Sequence, residues 1–369
     1  MFILQLGFIG AAIAFVPLAW IWLRSGADKF GKLVWVTAFL TLDLVLFGSF
    51  TRLADAGLGC PDWPGCYGTA SPLHAHQDIR AAQVLWPDGP VTLMKAWIEM
   101  THRYLALALG ALLIIITWIA WLERRQRRTS LAWPFVLLAL IGVQGAFGAW
   151  TVTLKLQPLI VTLHLLLGLM LFGALVCFAT ACTPSTDRIP LEAQRWRWIA
   201  RIGLVLLAVQ IALGGWVSTN YATLACPDFP TCLGAWLPQM DFKHGFQLWR
   251  ALGGTARGTY LMHDARVAIH WMHRTFAWIV IAYFVWLGLA LRRFQALRPK
   301  ANGLILALMA QFATGVSTIA LKSPLMMAWL HSAGSAMLLL LMVMLNVQFT
   351  PTHATRALAS STSSSNQIK

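Results

Sequence analysis

Charge is scarce in this chain. Only 11% of its residues are Asp, Glu, Lys or Arg, where a soluble domain carries about 25%. That shortage excludes a sizeable soluble domain. Acid is the scarcer sign: 13 acidic residues face 28 basic ones, for a net charge of +15. The excess does not indicate nucleic acid, because it is not spread over a face. It gathers in short connectors at Arg24, Lys29 and Lys32, in "ERRQRR" from Glu123 to Arg128, at Arg188, Arg195, Arg197 and Arg201, and at Arg292, Arg293, Arg298 and Lys300. These are alternate connectors, as the positive-inside rule expects of cytoplasmic loops. The first apolar run, "FILQLGFIGAAIAFVPLAWIWLR", lacks a basic leader and is longer than the apolar core of a signal peptide. It reads as a retained helix.

What the chain has in quantity is apolar length. It is 58% hydrophobic, with 19 tryptophans and 19 phenylalanines among 369 residues. Runs of about 20 apolar residues suffice to cross a bilayer as helices. Nine recur, at 2–24, 33–54, 93–122, 131–153, 159–182, 198–219, 265–291, 301–321 and 326–349. The expected fold is an all-α integral membrane protein in the cell inner membrane, surrounded by lipid. Basic connectors inside place the N-terminus outside and the C-terminus in the cytoplasm. The polar tail 350–369 is expected to be disordered.

The second half repeats the first. Cys60 and Cys226, Cys66 and Cys232, and Gly48 and Gly214 match at an offset of 166. "MTHR" at Met100–Arg103 matches "WMHR" at Trp271–Arg274. Gln144, Gly148, Lys155 and His164 match Gln311, Gly315, Lys322 and His331 at an offset of 167. The unit is four helices, an even number, so both copies run in the same direction. The expected division is an extra helix in 1–32, a first four-helix half in 33–182 and a second in 198–349. A transporter built from parallel repeats is a weak alternative, because no helix-breaking Gly or Pro recurs at matched mid-membrane positions.

Four histidines hold repeat-related places: His102, His164, His273 and His331. Each stands at the outer end of an apolar span, so all four lie at similar depth. Ionisable groups inside a membrane are costly and usually functional. Two facing helices with one imidazole each can hold a haem iron between axial ligands. A lone intramembrane histidine would more often be a hydrogen-bonded core residue. Zinc or copper is the rival metal, but such sites cluster histidines more closely or add cysteines. Arg103 and Arg274 follow their histidines and are candidate partners for haem propionates; snorkelling to the interface is the plain alternative. Lys155 and Lys322 are weaker candidates of the same kind. Cys60 and Cys66, and Cys226 and Cys232, fall in the two long outer loops, where disulfides are expected. They are structural staples or, if strained and exposed, redox-active pairs. Cys177 and Cys182 are expected to be reduced packing residues. His74, His76, His244, His263 and His353 receive no role.

One difference breaks the symmetry. Glu99 lies three residues before His102, and His270 takes the matching place before His273. Glu99 is either an ordinary acid near a helix N-terminus or a catalytic carboxylate. A di-haem cytochrome that only carries electrons would have little need of such a difference.

"GLGCPDWPGCYG", "EMTHRYLALALG", "VTLHLLLG", "IHWMHR" and "WLHSAGSAM" together resemble the haem A synthase family over about residues 33–349. The resemblance implies oxidation of the C8 methyl of haem O to a formyl group, giving haem A, with water as oxygen source. It implies that His102 and His164 serve substrate haem O, that Glu99 is catalytic, and that His273 and His331 hold a permanent haem b. It also implies contact with the farnesyltransferase that forms haem O and with cytochrome oxidase assembly. A homo-oligomer stays open. The additional first helix departs from many members of the family.

Overall fold

Twenty residues of helix span about 30 Å, the thickness of the hydrocarbon core. Nine helices among the described residues meet that length with enough apolar character. The computed structural model describes every residue except 25, 27, 88, 127–128, 184–189, 251–260 and 350–369. The expected disordered tail, with His353, lies outside the described residues. In chain order the long helices are α1 (Phe2–Leu23), α2 (Lys29–Leu53), α4 (Leu93–Leu122), α5 (Ala132–Thr153), α6 (Pro158–Cys182), α7 (Arg197–Thr219), α9 (His263–Leu291), α10 (Arg298–Ala320) and α11 (Leu325–Gln348). Two short helices, α3 (His76–Leu85) and α8 (Phe242–Gly245), lie in the long loops. Helix α2 starts four residues before its apolar run, because Asp28 caps it by accepting from the Gly31 amide at 2.9 Å. No strand ladder forms among the described residues; only two isolated bridges occur, Cys66 with Thr69 and Cys232 with Ala235.

Helices α2, α4, α5 and α6 pack as one ring of four, and α7, α9, α10 and α11 as another. Helices α6 and α11 meet at the centre, while α2 touches α11 and α6 touches α7. This is the contact pattern of a two-fold axis between the rings. Lipid supplies no hydrophobic drive between helices, so close packing and a few polar links must hold them. The Trp329 indole donates to the Leu46 carbonyl at 3.0 Å across the axis. The Thr162 and Thr219 hydroxyls lie 3.3 Å apart. At the loop end, Arg52 of α2 donates to the Ser218 carbonyl of α7 at 2.6 Å and stacks on Tyr221. Since the C-terminal ends of α2 and α7 meet, the two helices run in parallel. Helix α1 has no counterpart in the second ring and packs on α4 and α2.

Candidate functional site

Helices α4 and α9 are 30 and 29 residues long, well beyond the about 20 that a membrane requires. Their N-terminal portions reach the disulfide loops, and the turns that follow the first carry Glu99 and His102 in α4 and His270 and His273 in α9. The loops are built alike. Disulfides join Cys60 to Cys66 and Cys226 to Cys232. Inside each, an aspartate folds the turn: Asp62 accepts from the amides of Tyr67 and Gly68, both at 2.7 Å, and Asp228 from those of Leu233 and Gly234 at 2.6 and 3.0 Å. Tyr67 and Leu233 take left-handed backbone, φ 51° and 56°, which the aspartate bonds help to offset.

The arginines expected near propionates bind these loops. Arg103 donates to the carbonyls of Asp62 at 2.9 Å, Pro64 at 3.3 Å and Gly65. Arg274 donates to those of Asp228, Pro230 and Thr231 at 2.9, 3.0 and 2.9 Å. The acid and its replacement also face the loop. Glu99 is buried, with one carboxylate oxygen on Arg103 at 2.5 Å and the other accepting from the Cys60 amide at 2.9 Å. His270 is buried and accepts from the Cys226 amide at 3.3 Å. The duplicated cysteine phrase is therefore a cap, clamped by an arginine and keyed by the residue three before the histidine. Lys155 and Lys322 do not reach this cluster by any described bond; both occupy left-handed turns, φ 51° and 58°, after α5 and α10. Cys177 and Cys182 stand outside the disulfides, half-buried in α6.

The four histidines sit on diagonal helices, His102 on α4 with His164 on α6, and His273 on α9 with His331 on α11. The ring centres of His273 and His331 are 6.5 Å apart, with planes at 84°. An iron bonded to two imidazole nitrogens at about 2 Å, with ring centres about 1 Å farther out, requires about 6 Å. The observed separation is close to that distance, with the Gln311 amide 3.4 Å from the His331 Nε2. Among the described residues no three His, Cys, Asp or Glu side chains converge. The donor set comes in pairs, which suits a planar macrocycle better than tetrahedral zinc.

Each imidazole lies against a glycine of the adjacent helix. A Cβ built on Gly48 would stand 2.9 Å from the His102 ring, on Gly148 3.4 Å from His164, on Gly214 3.1 Å from His273, and on Gly315 2.9 Å from His331. The glycines let the helices approach until the rings are fixed between them. The repeat offset had already paired these glycines in the sequence, but nothing there tied them to histidines.

A family described as cytochrome oxidase assembly protein, COX15-CtaA, matches residues 31–343. The chain is 38% identical over 324 residues to the heme A synthase of Shewanella oneidensis, covering 85% of this chain and 96% of that one. It is 29% identical to heme A synthase of Caulobacter vibrioides and 30% identical to that of Caulobacter sp. strain K31; each match covers 83% of this chain and 92% of the relative. The chain belongs to the COX15-CtaA family of cytochrome oxidase assembly proteins.

Proposed function

We propose that this protein is a haem A synthase, oxidising the C8 methyl of haem O to the formyl group of haem A. The observation that carries the reading is the buried His273–His331 pair at 6.5 Å, with a second histidine pair at repeat-related places beside a buried carboxylate. His273 and His331 would hold a resident haem b, and His102 and His164 the substrate haem. The resident haem would supply one-electron redox capacity, which oxidation of a methyl group requires. Overall, one methyl group and one water give a formyl group, four protons and four electrons, the electrons going to an oxidant outside the chain, through an alcohol and a gem-diol that loses water.

The protein's own part is to position and to accept protons. The Glu99 carboxylate accepts from Arg103 and from the Cys60 amide and has lone-pair capacity for more. It can take a proton from the reacting carbon or stabilise positive charge that develops there. Arg103 and Arg274 clamp the two disulfide loops through their backbone carbonyls. We place the protein in the cell inner membrane, N-terminus outside. The enzyme that farnesylates haem is its supplier and cytochrome oxidase assembly its consumer.

Pigment extracted from purified protein tests the reading. Haem b together with haem O or haem A is expected. His273→Ala or His331→Ala should lose haem b, while His102→Ala or His164→Ala should mainly lose substrate haem and turnover. Haem b alone, in cells that make haem O, would refute it.

A further inference from the structure

Three contacts on the His102 ring come from one short stretch of α2. A ring nitrogen bonds to the Leu44 backbone. Phe47 stacks on the ring, with centres 6.3 Å apart and planes at 16°. Gly48 gives the ring its seat, since a Cβ there would stand 2.9 Å from it. The placement of this stretch therefore sets the direction of the imidazole.

Leu46 lies in the middle of the stretch, and its carbonyl accepts from the Trp329 indole at 3.0 Å. Trp329 belongs to the other ring of helices, on α11, two residues before His331. Residues two apart on a helix point about 200° from each other. His331 thus turns into its own ring, against Gly315, and Trp329 turns out of that ring, onto α2. A carbonyl oxygen has two lone pairs, so the indole adds a bond without breaking the helix ladder. The reverse crossing is built differently. Thr162, which matches Trp329 at the offset of 167 and lies two residues before His164, meets the Thr219 hydroxyl at 3.3 Å, and its methyl would stand 3.3 Å from a Cβ on Gly215. Thr162 meets a side chain and packs beside the Gly214 seat, whereas Trp329 bonds to the backbone of the His102 seat itself.

Resting on the haem A synthase reading, we propose that Trp329 is a positioning residue for the site at His102 and His164, not for the histidine that follows it in sequence. The second half thereby supplies part of the first site. An indole suits the task, because it is large, rigid and apolar with a donor at one edge. Within the bilayer no water competes for the Leu46 carbonyl. Without the N–H, the stretch loses its tie to α11, and the ring that it seats loses a fixed direction. Groups behind a metal-ligating imidazole set its orientation and hence its hold on the metal.

The test uses the full chain in detergent, loaded with protohaem. Haem loss to apomyoglobin and the low-spin ferric resonances are measured for wild type, Trp329→Phe and Phe47→Leu. His102→Ala and His331→Ala assign each phase and resonance to its site. Trp329→Phe, which keeps an aromatic ring but not the donor, should speed the His102-dependent phase about 2- to 10-fold, as loss of one hydrogen bond allows. It should shift the resonance of that site and leave the His331-dependent phase and resonance as in wild type. Phe47→Leu, which does not touch α11, should shift the same resonance. Wild-type behaviour of the first site in Trp329→Phe would overturn the proposal. A change at the His331 site alone, or an equal change at both, would overturn it too, because Trp329 would then support its own helix or the fold at large. An unshifted first-site resonance in Phe47→Leu would show that the α2 stretch does not direct the ring. Haem binding that is insensitive to both His102→Ala and His331→Ala would instead overturn the haem-ligand reading on which it rests.

Discussion

Replacing Glu99 by Gln separates the charge of this residue from its role as a joint. The carboxylate accepts from Arg103 at 2.5 Å and from the Cys60 amide at 2.9 Å. Both are donors. Glutamine has nearly the same shape but offers one oxygen and one NH2 group. Whichever way the amide turns, one donor faces another donor. Leaving a buried donor unsatisfied costs about 1–3 kcal/mol, which is about 5- to 150-fold in the population of the closed loop. Loss of a general acid–base group costs about 100- to 10,000-fold in rate. The two ranges overlap only narrowly, so Arg103→Lys serves as the control. It loosens the same joint and keeps the carboxylate. Chromatography of extracted pigment, with initial rates of haem A formation, provides the readout. Glu99→Gln should keep haem b, bind haem O and form haem A more than about 150-fold more slowly, while Arg103→Lys stays within the joint's range. Wild-type haem A formation by Glu99→Gln would refute the reasoning. Loss of all haem would reduce Glu99 to a structural residue.

The glycines and the second loop give two further expectations. Gly315→Ala places a methyl group 2.9 Å from the His331 ring, so its haem b spectrum should show disturbed axial ligation, whereas Gly303→Ala, which meets only the Leu341 side chain at 3.5 Å, should not; identical spectra would discount the seat. The Asp228 carboxyl is held down to about 2 by the Thr231 hydroxyl first, and then by the Gly234 and Leu233 amides. A depressed folded value means that the contribution is full above the ordinary carboxylate value and fades as pH falls through the folded one. The protection of the Leu233 and Gly234 amides, taken relative to free amides at each pH, should therefore hold near pH 4 and fall only towards pH 2; protection lost already at pH 5 would contradict it.

The membrane spans were legible because apolar length is a strong signal, and so were the four histidines and Glu99, because ionisable residues stand out against it. The repeat offset then paired them without any coordinates. The glycine seats were not legible in the same way. Glycine is common in membrane helices, and Gly48 or Gly315 looks like any other until a ring is found against it. Arg103 was read from charge alone, which suggested an anion; its described partners are a carboxylate and three backbone carbonyls, and carbonyls leave no mark in a sequence. Helix α3 was hidden for another reason. It is ten residues long, and its polar composition reads as loop.

Helix α1 has a consequence for how the first ring meets the lipid. A Cβ on Gly10 would stand 2.8 Å from the Leu107 Cβ of α4, so the two helices meet with no room for a methyl group between them. Since α1 also touches α2, it seals the seam between α2 and α4 against the lipid tails. The corresponding seam between α7 and α9 has no such cover among the described helices. The unrepeated helix thus makes the two rings unequal towards the bilayer: lipid tails that can lie against the α7–α9 seam meet α1 at the matching place in the first ring.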